Sequence, residues 1–411
     1  MVGPTHTVGL CSAMLLCLAS AGMAMARPTY DGGCAPRCCY SLLAQYALRV
    51  VHDAVKFGLA PKKRKEHAPA NVELGVFCDM SRAASEGVVV FQPTEKRVRS
   101  VLATLKRARL QNHLSPSDAS SLFGKLGFTL SAAYGKVGRA AAQPLIQRCH
   151  RDRAPYVFSD GLQRMHDFLE KLLPSLPPME VPIAPSALAP GHGMGAAYAY
   201  SDASYERDGT NGLGIALIDP VSGERLYAAG VCPQWLFDSF KPDRKTYIAQ
   251  LEALATVLVY TTFGARLRGR KVYHFCDNTV ALSAALHGYA NQPDLADASN
   301  ALHCAACGLR IDLWLEWVAS KANLADVPSR PTHDQGVLGR LGMREVRMVF
   351  PTREEWLDPS LLLRREHAMP KYVGGEVAGP VRKKQRRAKG RTTGNECAAE
   401  KRRMHGTDGP N

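Results

Sequence analysis

The chain has 411 residues, 46% of them apolar, and its 52 Lys and Arg against 37 Asp and Glu give a formal charge of +15. That length suits two or three domains, each able to bury a core. Twelve cysteines are too sparse for a disulfide scaffold, and the basic surplus favours a polyanionic partner without naming it.

Residues 8–26 form an uncharged apolar run ending Ala24-Met25-Ala26 before Arg27. The small-x-small ending is that of a cleaved signal peptide, yet no basic segment precedes the run. Residues 1–39 therefore read as signal-like or as an artefact of the assigned start. No later segment reads as long and apolar enough to span a bilayer, so no lipid membrane partner is expected. Cys78, Cys232 and Cys276 fall inside apolar segments and read as small core residues. Cys304 and Cys307 beside His303 have no second pair at zinc spacing, since Cys34, Cys38 and Cys39 are far off. Such usage fits a reducing compartment. The nucleus or cytoplasm is expected, with the secretory pathway as the alternative if residues 1–26 act as a signal.

Leu43, Tyr46, Ala47, Val50, Val51 and Val55 recur at helical spacing over residues 40–57. The basic turn Pro61-Lys62-Lys63-Arg64-Lys65 follows, then strand-like stretches over 72–77 and 87–91. Pro93 and Thr94 open a helix to about residue 112. Ser115-Pro116-Ser117-Asp118 has the capping chemistry of the next, which runs to 138–139. Pro174, Pro177, Pro178, Pro182, Pro185 and Pro190 forbid a packed helix or a central strand, which marks residues 174–195 as a semi-extended linker. Residues 40–173 thus stand as one mostly helical region.

Beyond the linker, residues 197–203 alternate, 212–219 are apolar, and 225–231 follow a Val-Ser-Gly-Glu turn. A helix over 245–263, a strand over 271–276, helices over 279–287 and 294–308, a strand over 311–318 and a short helix from Asn323 complete the order. The opening meander suits antiparallel pairing and the later strand-helix-strand steps suit parallel pairing. Residues 196–332 are expected to form an α/β domain with a mixed five-stranded sheet flanked by helices. An extension over 333–371 lacks periodicity. In the tail, 372–411, ten Lys or Arg from Arg382 onward face only Glu396, Glu400 and Asp408. That segment is expected to be disordered, either as a solvated tail or as a nucleic-acid arm or import signal.

Four carboxylates carry the chemistry. Asp202 shares the strand face of Tyr198 and Tyr200 at period two, and equally reads as a strand-end turn residue. Glu252 lies at the edge of the apolar stripe Ile248, Leu251, Leu254, Ala255, where an unpaired charge is costly. A cation would relieve it, as would solvent or an arginine. Asp277 ends the strand 272–276, at the carboxyl edge where ligands gather in α/β sheets, or else caps the helix that follows. Asp326 stands three residues after Asn323 and mimics a capping box. On four elements that meet at one sheet edge they make an all-oxygen ligand set for hard divalent cations. Two Mg²⁺ about 4 Å apart, with Mn²⁺ able to substitute, would activate a water and stabilise the leaving oxygen of a phosphodiester. Arg266, Arg268, Arg270 and Lys271, with Lys321 beside the last strand, would draw in the polyanion, unless they are an ordinary solvated rim. The arrangement demands that the four carboxylates converge in space.

At these residues the chain resembles the ribonuclease H domain of retroelement reverse transcriptases. The matching segments are Ser201-Asp202-Ala203-Ser204 with Gly212 and Gly214 downstream, Leu251-Glu252-Ala253-Leu254, Phe275-Cys276-Asp277-Asn278, and the run from Ser320-Lys321-Ala322-Asn323-Leu324-Ala325-Asp326 to Val327-Pro328-Ser329-Arg330. The resemblance covers residues 196–330. It implies a ribonuclease H-like fold, with Asp202, Glu252, Asp277 and Asp326 as metal ligands and catalytic residues. It also implies an RNA–DNA hybrid or other nucleic acid as partner, touched by Ser204, Asn278, Arg268, Arg270, Lys321 and Asn323. The family's histidine before the final aspartate segment, with a part in product release, has no counterpart in Glu316-Trp317-Val318-Ala319, which implies slower turnover.

Residues 45–150 resemble, more loosely, the end of a reverse transcriptase palm and its thumb and connection. The segments are Phe57-Gly58-Leu59-Ala60-Pro61-Lys62-Lys63, Glu73-Leu74-Gly75-Val76, Leu122-Phe123-Gly124-Lys125-Leu126, Gly138-Arg139 and Pro144-Leu145. The polymerase's paired aspartates would precede Phe57, but Asp31 and Asp53 are isolated, so no polymerase chemistry is expected. The expected function is a metal-dependent endonuclease cutting the RNA strand of RNA–DNA hybrids, as a retroelement-derived fragment. The alternative is a catalytically inactive nucleic-acid-binding remnant. A third reading, a secreted protein, rests on residues 8–26 alone.

Overall fold

Two β-sheets and the helices between them organise the chain. The computed structural model describes residues 70–182 and 195–373, apart from residues 74, 84, 207, 243, 331, 332, 334 and 335. The signal-like run, the helix expected over 40–57, the palm-like motif at 57–63 and the basic tail lie outside the described residues.

The first sheet is antiparallel, in the order β1 (Ala70–Glu73), β2 (Val76–Asp79), β3 (Val88–Pro93), β4 (Met179–Pro182). The single strand expected over 72–77 is a hairpin instead. Glu73 pairs with Val76, and Gly75 takes φ +84°, a conformation open to glycine and needed to reverse the chain in two residues. β4 comes from the proline-rich stretch expected to be linker. It pairs only with β3, and an edge is the place in a sheet that tolerates proline.

Between β3 and β4 lie α1 (Glu95–Leu110), α2 (Pro116–Leu130), α3 (Gln143–His150) and α4 (Asp160–Leu172). α2 stops at Leu130, short of the expected 138–139, and positive-φ glycines follow at Gly135 and Gly138. The Ser115 and Ser159 side chains accept from the backbone amides of Asp118 and Leu162, capping α2 and α4. Leu105, Leu122, Leu145, Leu162 and Leu169 are fully buried between these helices, each worth about 1.5–3 kcal/mol on transfer from water.

The second sheet has the order β10-β7-β6-β5-β8-β9. β5 (Ala197–Tyr205), β6 (Asn211–Asp219) and β7 (Glu224–Gly230) form the antiparallel meander, and β8 (Lys271–Cys276) and β9 (Asp312–Trp317) add in parallel. The expected five-stranded mixed sheet is present, with a sixth two-residue strand, β10 (Arg344–Glu345), parallel to β7. α5 (Gln234–Phe237), α6 (Ile248–Leu267), α7 (Thr279–His287) and α8 (Pro293–Gly308) connect these strands, and α9 (Asp326–Ser329), α10 (Gly336–Arg340) and α11 (Arg353–Leu357) follow.

Strand alternation splits the sheet into two faces. Ala197, Ala199, Ala203, Leu213, Ile215, Val272 and Cys276 are buried on the face that α6 covers. The opposite face carries Ala216 under Leu338 and Met343, with Tyr200, Tyr227, Leu324 and Val327 packed around them. α6 is apolar nearly all round, and by length and composition it does meet the requirement for a bilayer span that the sequence reading found in no later segment. In the fold it is a core helix, because the extension beyond residue 332 wraps its outer side. Thr261 Oγ1 donates to the Val349 carbonyl at 2.6 Å, and the Val349 amide donates to Thr262 Oγ1 at 3.0 Å. His303, Cys304 and Cys307 are buried in α8, where His303 Nε2 stands 2.8 Å from the Ala285 carbonyl oxygen, so the Cys-x-x-Cys is core rather than a zinc site. The buried side chains of α1 to α4 run on into those around α6 and α8 as one core, and the described residues up to Val373 belong to a single unit.

Candidate active site

Parallel pairing of β5 and β8 sets Ser201 opposite Cys276, so the next residues, Asp202 and Asp277, arrive at the same sheet edge. α6 starts over that edge and carries Glu252 in its second turn. Asn278 is the N-cap of α7, its Oδ1 accepting from Val280 N at 3.0 Å and Ala281 N at 3.1 Å. That role leaves the Asp277 carboxylate free of capping and gives the Asn278 side-chain oxygen a structural task.

α9 brings Asp326 to the edge by lying directly on β6. A Cβ added to Gly212 would stand 2.0 Å from the Ser329 carbonyl oxygen, and one added to Gly214 would stand 2.3 Å from the Ala325 oxygen. Residues without side chains are what allow two backbones so close. The helix is then tied down at Ser329: its hydroxyl donates to the Asp202 carboxylate, and the Ser204 hydroxyl donates to its carbonyl at 2.7 Å. Ser204, expected to touch nucleic acid, is buried in this link.

Asp202 is 1% exposed and Glu252 4%. Burial foremost, then the charges of Asp277 and Asp326, lifts the Asp202 carboxyl to about 7, against the pull of the Ser329 hydroxyl and Arg330. Burial, then Asp202 and Asp277, lifts Glu252 to about 10, against the Ala203 amide and Arg330. Donor atoms of Glu252, Cys276 and Asp277 lie within 4.8 Å of one another. Asp202 is the common neighbour, interacting with Glu252, Asp277 and Asp326. A buried carboxylate cluster of this kind fits a divalent cation, whose charge would reverse the penalty on each acid.

Asp326 stands differently. Its two oxygens pair with Arg330 at 3.0 Å and His333 at 3.2 Å. A histidine thus does meet the final aspartate, but it follows that residue in the chain. The stretch ahead of Asp326, Glu316-Trp317-Val318-Ala319, supplies Trp317 instead, whose indole donates to the Asp277 carbonyl at 3.1 Å. No role was read for Arg330, His333, Ser329 or Trp317 from the sequence: the i,i+4 spacing of Asp326 and Arg330 was a usable local signal, whereas nothing local reports the partners of the other three.

The expected basic residues divide. Lys321 is exposed beside Asn323, which carries the same edge. Arg268 and Arg270 precede β8, whose other end carries Asp277, roughly 20 Å away along the strand. Arg268 is exposed and reaches the Gly308 carbonyl, whereas Arg270 is 3% exposed and bonds both Asp219 oxygens, at 2.7 and 2.8 Å. Burial works against the Asp219 charge, yet Arg270 and the Ser222 hydroxyl hold its carboxyl well below the ordinary range. The placement corrects the expectation for Arg270: a buried guanidinium whose donors go to Asp219 and to the Gly195 and Arg266 carbonyls has none left for phosphate. A second cluster, His166, Asp167 and Glu170 on α4, already has the Arg109 guanidinium against Asp167 at 3.2 Å.

No protein-family model and no curated protein matches the sequence. Among solved structures, the chain is similar to RNase H1 from the halophilic archaeon Halobacterium salinarum NRC-1, at 17% sequence identity and a TM-score of 0.25, over 32% of this chain and 91% of that one. The fold class stands on the sheet itself: a mixed α/β fold whose antiparallel meander continues into parallel strands, with helices on it, compatible with a ribonuclease H-like fold.

Proposed function

We propose that this chain is a ribonuclease H-type endonuclease that hydrolyses the RNA strand of RNA–DNA hybrids, with Asp202, Glu252, Asp277 and Asp326 as ligands of two Mg²⁺ or Mn²⁺ ions. The observation that carries the reading is the buried pair Asp202 and Glu252 beside Asp277, two carboxyls lifted to about 7 and about 10 by burial and by neighbouring acids. When bound, the ions supply Lewis acidity at the phosphodiester and an activated water. The chain does the rest. Asn323 steadies Asp277, Ser329 steadies Asp202, and Lys321 lends positive charge at the same edge. Asp326, now paired with Arg330 and His333, would complete the ligand set.

The origin in a retroelement polyprotein is part of the same proposal, supported by the motifs around the four carboxylates and the thumb-like segments, and it carries the nucleus or cytoplasm as expected site of action. The pairing of Asp326 with Arg330 and His333 favours a second reading, a remnant that grips nucleic acid without cutting it. A Mg²⁺-dependent assay on a labelled RNA–DNA hybrid separates the two. Cleavage by the full chain, lost roughly 100-fold or more in Asp277→Asn, is the expected result. Hybrid binding without cleavage supports the second reading, and undiminished cleavage by Asp277→Asn overturns the assignment of the site.

A further inference from the structure

One donor at this edge is not oxygen. Alternation along β8 buries Val272, His274 and Cys276 on the helix-covered face, which delivers the Cys276 thiol to Glu252 on α6. Cys276 Sγ lies 3.9 Å from Glu252 Oε2, and the sulfur, a Glu252 oxygen and an Asp277 oxygen are all within 4.8 Å of one another. The nearby acids Asp202 and Asp277 add negative charge around Glu252, offset in part by Arg330. Glu252 is 4% exposed, so its carboxyl is largely cut off from water.

The Sγ–Oε2 separation is close to what one kind of ion asks for. Zinc–sulfur bonds are about 2.3 Å and zinc–oxygen bonds about 2.0–2.2 Å, so sulfur and oxygen ligands of a tetrahedral ion stand roughly 3.5–3.7 Å apart. A shift of a few tenths of an ångström brings Sγ and Oε2 to that span. Mg²⁺ wants six oxygens and keeps its waters, whereas a thiolate with carboxylates selects softer ions. The thiol adds a ligand that the hard ion does not use.

We propose that Cys276, Glu252 and Asp277 form a site for a thiophilic divalent cation of the Zn²⁺ class, overlapping the oxygen ligands of the proposed Mg²⁺ centre. The overlap makes such an ion a competitor that blocks cleavage, a consequence that rests on the nuclease reading, whereas binding itself does not. The ion enters from the side of Asp277, the half-buried member of the three.

Co²⁺ is the probe, added to the full chain and followed by its thiolate-to-metal charge-transfer absorption. A near-stoichiometric band, bleached by Zn²⁺ and absent in both Cys276→Ser and Cys276→Ala, is expected. Circular dichroism of the two variants establishes that they fold, the alanine variant guarding against a misplaced hydroxyl. No band in the wild type, or an equal band in both variants, overturns the proposal. In the cleavage assay, Zn²⁺ should inhibit the wild type at concentrations at least tenfold lower than either variant, each measured against its own Mg²⁺ rate; equal sensitivity overturns the competition. Hybrid cleavage by the wild type without a band leaves the nuclease standing and sinks this site. A Cys276-dependent band without Mg²⁺ cleavage does the reverse.

Discussion

Asn323 stands behind Asp277: its side-chain amide, on a residue 4% exposed, donates to Asp277 Oδ1 at 3.3 Å and to the Ser201 carbonyl at 3.0 Å. One side chain thereby links the ends of β5 and β8, the two strands that deliver Asp202 and Asp277. Residues that orient a metal ligand typically matter 10–100-fold. Asn323→Ala is expected to lower kcat for hybrid cleavage by about that factor with a smaller change in KM. It should also cost about 1–3 kcal/mol of stability, from the orphaned Ser201 carbonyl. Lowered stability with an unchanged kcat would reduce Asn323 to a purely structural role.

Gly214→Ala tests whether α9 must lie on β6. Its Cβ would meet the Ala325 oxygen at 2.3 Å and the Ser329 nitrogen at 2.5 Å, both backbone atoms that no rotamer change can move aside. Overpacking of this kind costs about 1–3 kcal/mol. The expected variant melts lower and loses cleavage through displacement of Asp326 and Ser329. A variant with wild-type melting temperature and rate would contradict the close approach.

Arg270→Ala separates stability from binding. Removing one partner of a buried ion pair leaves an uncompensated charge, here Asp219, at a cost of about 3–5 kcal/mol. Denaturant unfolding should show that loss. Lys321→Ala should leave stability within about 0.5 kcal/mol and weaken hybrid binding, with a shallower salt dependence. If Lys321→Ala bound hybrid with the wild-type salt slope, the exposed lysine would have no part in the interface.

The carboxyls of Asp202 and Glu252, at about 7 and about 10, hold protons in the folded state that the unfolded chain releases at lower pH. Their contribution to stability is therefore whole below the ordinary carboxyl range near pH 4, and it is lost as pH rises, first through about 7 and then toward about 10. With chelator present, the melting temperature is expected to fall between about pH 6 and about pH 9, and Glu252→Gln should flatten that slope. Millimolar Mg²⁺, binding only the folded chain, should raise the melting temperature most at the upper end. A metal-free melting temperature that did not fall over this range would contradict the burial of these two acids.

Local pattern alone located β8 and α7, because a strand of alternating residues and a helix opened by Asn278 and closed by Gly288 report themselves within ten residues. It also singled out the four carboxylates, whereas the two glycines of β6 came with the family resemblance. What it could not do was choose among partners. Asp277 and Asn278 are adjacent, and only the folded chain shows that Asn278 takes the cap. Arg270 and Lys321 have similar charge in the sequence; one is buried against Asp219 and the other faces solvent. His333 and Ser329 reach Asp326 and Asp202 through the turn of a short helix and across 127 residues of chain, respectively. Gly75 splits one apolar run into two strands, and the aperiodic stretch after residue 332 becomes the cover of α6. Propensity and periodicity act over a few neighbours, so the elements and the candidate acids were legible in the sequence. Burial, ion pairing and close backbone approach depend on which distant segments pack together, and only the tertiary structure decides that.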